Sequence, residues 1–130
     1  MRAVDTNILV RCLTGDDKVQ GALAEAFIKH EGPVWVSCLV LVETVWVLES
    51  VYDRTKPQLV EALKRILDNR DLVLEDPAVL RAALALYQSK GKLHFEDCLI
   101  LEIARKAGHL PLVTFDKVLG KIEGARTLGR

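Results

Sequence analysis

Four acidic residues, Asp5, Glu43, Asp97 and Asp116, are spread along the chain at points where carboxylates can do more than solvate a surface. Three of them also have ordinary roles open to them. Asp5 can cap a helix starting near Thr6, and Asp116 can cap a short helix around Val118 and Leu119. Asp97 falls in a first helical turn, where the helix dipole favours negative charge. Glu43 is different. It interrupts an apolar stretch from Cys38 to Val51, with Val40, Val47 and Val51 on its own helical stripe. Leu41, Val42, Val45, Trp46 and Leu48 fill most of the remaining circumference. A helix apolar nearly all round is expected to be buried. An ionised carboxylate there costs on the order of several kcal/mol unless it is paired or binds a metal. The competing explanation is a salt bridge to an arginine such as Arg11 or Arg65.

If the four acids converge, they repel one another and raise each other's pKa values. A hard divalent cation relieves that repulsion, and Mg²⁺ or Mn²⁺ prefers such all-oxygen ligands. A cation held this way can activate water and stabilise charge on a phosphoryl oxygen. No Ser or Cys is paired with a His in a recognisable nucleophile arrangement.

The elements that must position these acids follow from the punctuation of the sequence. Arg2 to Asp5 reads as a short strand ending in an acid, followed by a helix through Ile8 and Leu13 that closes near Gly15. A second helix follows Asp16 or Asp17 and ends at Gly32-Pro33. Val34 to Val36 is a strand, and Ser37 caps the helix that carries Glu43. Pro57 suits the first turn of a helix through Leu67, and Leu72 to Leu74 is the next strand. Asp76-Pro77 starts a helix that Gly91 breaks. Phe95 opens another, stopped by Gly108. Leu112 to Thr114 is a fourth strand with Asp116 just beyond it, and a weak strand is expected near Ala125 to Leu128. Strands alternating with helices indicate an α/β fold with a mostly parallel sheet. Ligands of such sheets bind beyond the carboxyl ends of the strands, where Asp5 and Asp116 fall.

The chain of 130 residues suits one domain spanning 1–130. Its 18 basic and 18 acidic residues leave no net charge, which argues against coating nucleic acid by bulk electrostatics but not against handling it through bound metal. Cys12, Cys38 and Cys98 are widely spaced and form no CxxC pair, so reduced, buried thiols are expected. No apolar run approaches the roughly 20 residues of a membrane span, and Asp5 and Arg11 break any signal-peptide layout; a soluble cytoplasmic protein is expected.

The segments VDTNILV, VSCLVLVETVWVL, HFEDCLILEIARKAG and LVTFD, in this order, resemble the PIN-domain family and, more narrowly, the VapC toxins of toxin–antitoxin pairs. The resemblance covers essentially the whole chain. It implies a five-stranded parallel sheet of order 3-2-1-4-5 and magnesium-dependent cleavage of RNA. It also implies a cognate antitoxin whose C-terminal segment blocks the site. The family's acids fall on Asp5, Glu43, Asp97 and Asp116, with Asp5, Asp97 and Asp116 as the main metal ligands. Its polar supports fall on Thr6, Asn7 and Thr114. Val40 departs from the pattern, since related toxins often carry Thr there.

Around these residues the expectations are more modest. Thr114 can orient Asp116 or simply suit a strand, and Asn7 can bond a neighbouring acid or only start a helix. Glu96 is expected on the far side from Asp97, in solvent. Lys90, Lys92 and His94 can form a small phosphate-binding rim. Trp35 and Trp46 are expected in the core or in a dimer interface. Leu9, Leu13, Leu23 and Phe27 suggest a homodimer. Two other functions remain open. One is a structure-specific DNA nuclease, although the added basic segments such enzymes carry are missing. The other is a receiver-like Mg²⁺-binding signalling domain, although Asp76 beside Pro77 reads as a cap rather than a phosphoacceptor. A catalytically dead scaffold sits poorly with four intact acids.

Overall fold

The computed structural model describes residues 1–129 and divides into two compact units, Met1–Pro77 and the chain from Ala78 onward. The first unit runs β1 (Arg2–Ala3), α1 (Thr6–Thr14), α2 (Lys18–Glu31), β2 (Val34–Val36), α3 (Cys38–Ser50), α4 (Lys56–Asp68) and β3 (Leu72–Leu74). Its strands pair in parallel with β2 in the centre, Ala3 opposite Trp35 and Val34 opposite Leu72. Parallel neighbours need long crossovers, and the helices between the strands supply them.

The helix boundaries lie where capping chemistry puts them. Asp17 accepts from the Gln20 N–H at 2.9 Å, and Ser37 accepts from the Val40 N–H at 3.1 Å. Thr55 and Gln58 form a capping box ahead of Pro57 in α4. Gly15 closes α1 in the left-handed region at φ 65°, where a Cβ would be strained. Leu9, Val34, Val36, Leu41, Leu59 and Leu63 are all at most 2% exposed. Each such side chain contributes about 1.5–3 kcal/mol on burial.

The second unit holds α5 (Pro77–Ser89, opening on the boundary residue), α6 (Phe95–Ala107), β4 (Leu112–Thr114), a 3₁₀ turn (Leu119–Lys121) and β5 (Ala125–Thr127). β4 and β5 pair in parallel, Thr114 opposite Thr127. Tyr87 and Phe95 pack edge to face with centroids 5.8 Å apart, and Leu80, Ala83, Cys98 and Leu101 are fully buried.

The fold is α/β with parallel strands. Among the described residues the strands form two sheets, of order 3-2-1 and 4-5, rather than the single five-stranded sheet expected. No helix among those residues is long and apolar enough to cross a membrane.

Burial departs from expectation on α3. Its buried side is Leu41, Thr44, Val45 and Leu48, while Leu39 and Trp46 are 76% and 58% exposed and Glu43 is exposed between them. Trp46 is therefore not a core residue of the chain, and Glu43 is not a buried charge. The apolar composition of α3 exceeds what the unit covers. Cys12 and Cys38 are only half-buried, Cys98 alone being fully inside. Burial is nonetheless the main reason that the Cys12 and Cys38 thiols are pushed above their usual pKa, with Glu25 and Glu75 adding to it.

Candidate active site

In the first unit the chain leaves β1, crosses buried Val4, and reaches Asp5 at the start of α1. Asp5 is exposed, and its Oδ1 accepts weakly from the Ile8 N–H at 3.4 Å. Thr6 follows, buried to 6% exposure, and its hydroxyl donates a short hydrogen bond to Glu43 Oε1 on α3. The Glu43 carboxylate is thus set by a neutral hydroxyl rather than by an arginine.

Arg11, one of the two salt-bridge candidates, is engaged elsewhere. Its Nε donates to Gln20 Oε1 at 2.7 Å, and its Nη1 donates to Asp16 at 3.3 Å and to the Tyr52 hydroxyl at 3.2 Å. Among the described residues no ion pair reaches Glu43 from Arg65 either. Asn7 is exposed and lines a groove of roughly 790 Å³ between α1 and α2 together with Asp5, Arg11 and Phe27.

In the second unit Asp97 occupies the first turn of α6 and is half-buried. Its carboxyl is raised above the usual range, mainly by burial, then by the negative charges of Glu96 and Asp116; His94 partly offsets them. The electrostatics therefore couple Asp97 and Asp116. Glu96 is half-buried rather than out in solvent, and its charge acts on Asp97 more than that of Asp116 does. The expectation for Glu96 is corrected accordingly. Adjacent positions in a first turn are too close for either charge to ignore the other.

Asp116 caps the 3₁₀ turn: its Oδ1 accepts from Val118 and Leu119 N–H at 2.8 and 3.0 Å. Thr114 Oγ1 accepts from the Asp116 N–H at 3.0 Å, so this threonine orients the acid through its backbone. Capping and ligation do not compete, because a carboxylate has two oxygens and about four acceptor sites.

Asp5, Thr6 and Glu43 are thus assembled in the first unit, Asp97, Thr114 and Asp116 in the second. Among the described residues no group of three or more His, Cys, Asp or Glu side chains is disposed to hold a metal ion. The chemistry of the donors still suits a hard cation: the acids are oxygen-only, and Asp97 faces negative neighbours with only His94 opposing them.

The PIN domain family model matches residues 2–125, so the chain belongs to the PIN domain family. PIN domains are generally metal-dependent nucleases. No curated protein and no solved structure matches the chain.

Proposed function

We propose that the chain is a metal-dependent endoribonuclease that hydrolyses RNA phosphodiester bonds and serves as the toxin of a VapBC-type toxin–antitoxin pair. The observation that carries this reading is the PIN match over residues 2–125, which spans all four acids. On this reading residues 1–130 work as one domain in the cytoplasm, as a homodimer, with a cognate antitoxin as partner. Asp5, Asp97 and Asp116 hold Mg²⁺ or Mn²⁺, and Glu43 completes the acidic set. When bound, the cation supplies activation of water and neutralisation of charge at the scissile phosphate.

The chain's own side chains do the positioning. The Thr6 hydroxyl fixes one oxygen of the exposed Glu43 carboxylate. Thr114 and the backbone N–H groups of Val118 and Leu119 fix Asp116, so its orientation is set before any ligand arrives. A positive charge beside Asp97 would favour its ionised form and oppose the raising effect of burial and of Glu96 and Asp116.

The test is incubation of the purified protein with single-stranded RNA, duplex RNA and DNA, with Mg²⁺, with Mn²⁺ and with chelator. Cleavage confined to RNA and abolished by chelator is expected. Cleavage of branched or duplex DNA instead would move the assignment to a DNA nuclease, and no cleavage of any nucleic acid would overturn it. An upstream reading frame encoding a small DNA-binding protein would support the toxin role.

A further inference from the structure

Phe115 is 80% exposed and immediately precedes Asp116. Exposed apolar side chains are common, and Val113 and Val118 on the same segment are exposed too, but three observations set Phe115 apart. The first is the fate of the other rings. Of the three Phe and Tyr residues in the second unit, Tyr87 and Phe95 pack against each other in the core, at 3% and 1% exposure. Phe115 alone is turned outward.

The second observation is the rigidity of its mount. The Leu128 N–H donates to the Thr114 carbonyl at 2.8 Å, and the Gly120 N–H donates to the Asp116 carbonyl at 2.9 Å. Thr114 Oγ1 and Asp116 Oδ1 tie the intervening backbone from both sides. A Cβ at Gly120 would collide with the Thr127 side chain, so the turn is also closely seated on β5. The ring is therefore held out from a braced turn, which lowers the entropy lost when something binds to it.

The third observation concerns what surrounds it. Asp116 and Asp97 are electrostatic neighbours, and Lys117 is exposed on the other side of Asp116. A chain with no net charge has little bulk attraction for a polyanion. A single strand held at these acids then needs an apolar hold, and an unstacked base offers one to an aromatic face.

We propose that Phe115 is a stacking platform for one unpaired nucleobase of the RNA strand, placing the adjoining phosphate at Asp97 and Asp116. This rests on the ribonuclease reading and adds a positioning residue to it. Any base has a face to stack, so the platform favours single strands over duplexes and selects sequence weakly.

The test uses a labelled single-stranded oligoribonucleotide, with Ca²⁺ in place of Mg²⁺ to hold the strand uncut. Phe115→Leu keeps the apolar bulk without the ring, and Phe115→Trp keeps a ring. Leu should weaken binding roughly 5- to 150-fold, the range for one lost base stack. Trp should bind like the parent, with its fluorescence quenched on saturation. In Mg²⁺, Leu should raise KM and leave kcat nearly unchanged. Equal binding by the Leu variant and the parent overturns the platform. So does a fall in sedimentation mass on Phe115→Leu, which would assign the ring to a protein interface. The two readings fail separately. A parent that cuts RNA with an unaffected Leu variant loses only the platform. A parent that binds RNA through Phe115 without metal-dependent cleavage loses only the ribonuclease reading, and no RNA binding by the parent removes both.

Discussion

Asp16 in the first unit and Asp97 in the second are both aspartates near the start of a helix, and their surroundings drive them in opposite directions. Asp16 is met by donors: the Thr14 hydroxyl at 2.7 Å, the Tyr52 hydroxyl at 2.7 Å and Arg11 at 3.3 Å. Its carboxyl is lowered, first by the Thr14 bond, then by Tyr52, with the Arg11 charge a smaller contribution. Asp97 is raised by burial, Glu96 and Asp116. A carboxylate ringed by matched donors braces a fold. One whose neighbours are mostly acids is held at a cost to the fold, and a cation would relieve it. The two aspartates thus differ in what meets them: matched donors around Asp16, burial and acidic neighbours around Asp97.

The sharpest way to break this contrast is substitution at each acid. On the proposed function, in which Asp97 holds the metal, Asp97→Asn should reduce RNA cleavage by at least about a hundredfold, since removing a ligand costs more than removing its supports. Asp16→Asn should leave the cleavage rate intact while lowering the melting temperature. Rate assays and thermal unfolding on both variants check the pair; the reverse pattern would end the distinction.

Metal should act on one side of the contrast only. Mg²⁺ or Mn²⁺ at a hundred times its dissociation constant should stabilise the folded protein by about 2.7 kcal/mol if it binds only the folded state. For a domain of this size that is a rise in melting temperature on the order of 10 °C. Asp97→Asn should shrink the rise and Asp16→Asn should not, as followed by calorimetry with and without chelator.

Thr6→Val probes the first unit's share of the site. It removes the donor that orients Glu43 and keeps the buried volume. Loss of such a support should slow cleavage about 10- to 100-fold, and Thr6→Ser should restore most of it. An unchanged rate for Thr6→Val would mean that Glu43 needs no positioning.

The smallest expected effect is on pH dependence without metal. Raising the Asp97 pKa lets the folded protein keep a proton that the unfolded chain releases. Stability should therefore fall as pH rises from the usual carboxylate value through the raised one. Asp16 has the opposite sign: its contribution is present above the usual carboxylate value and is lost as pH falls through the depressed one. Asp97→Asn should thus raise the melting temperature of the metal-free protein, more at neutral pH than near pH 4. Asp16→Asn should lower it at neutral pH and converge on the parent in acid. Melting curves across that range separate the two.

Much of this was readable from residue types. Ser37, Gly15, Gly108 and Pro57 announce helix ends by chemistry that acts over three or four residues, and the helices begin and end beside them. The strands were readable from short apolar runs between such signals. What escaped was burial. α3 is apolar on nearly every side, so its composition carries no direction, and only the packing decides that Leu41 and Leu48 face inward while Leu39 and Trp46 do not. For that reason Glu43 is exposed although the stripe around it is apolar. The residue earns its place in the candidate site through Thr6 instead, a partner 37 positions away that periodicity along α3 could not indicate. The charge of Glu96 reaches Asp97 by proximity within one turn, which the helical facing of the two residues does not indicate.

The cap formed by Asp116 bears on how a protein like this could fall silent. One of its oxygens already serves the backbone N–H groups of Val118 and Leu119. Asparagine offers the same oxygen to a cap, and Asp→Asn is a single-nucleotide change. Such a mutation would remove the anionic charge while sparing the turn. On the proposed function the mutant would be an intact but inert copy instead of debris for proteases, able to compete with active molecules for whatever they bind.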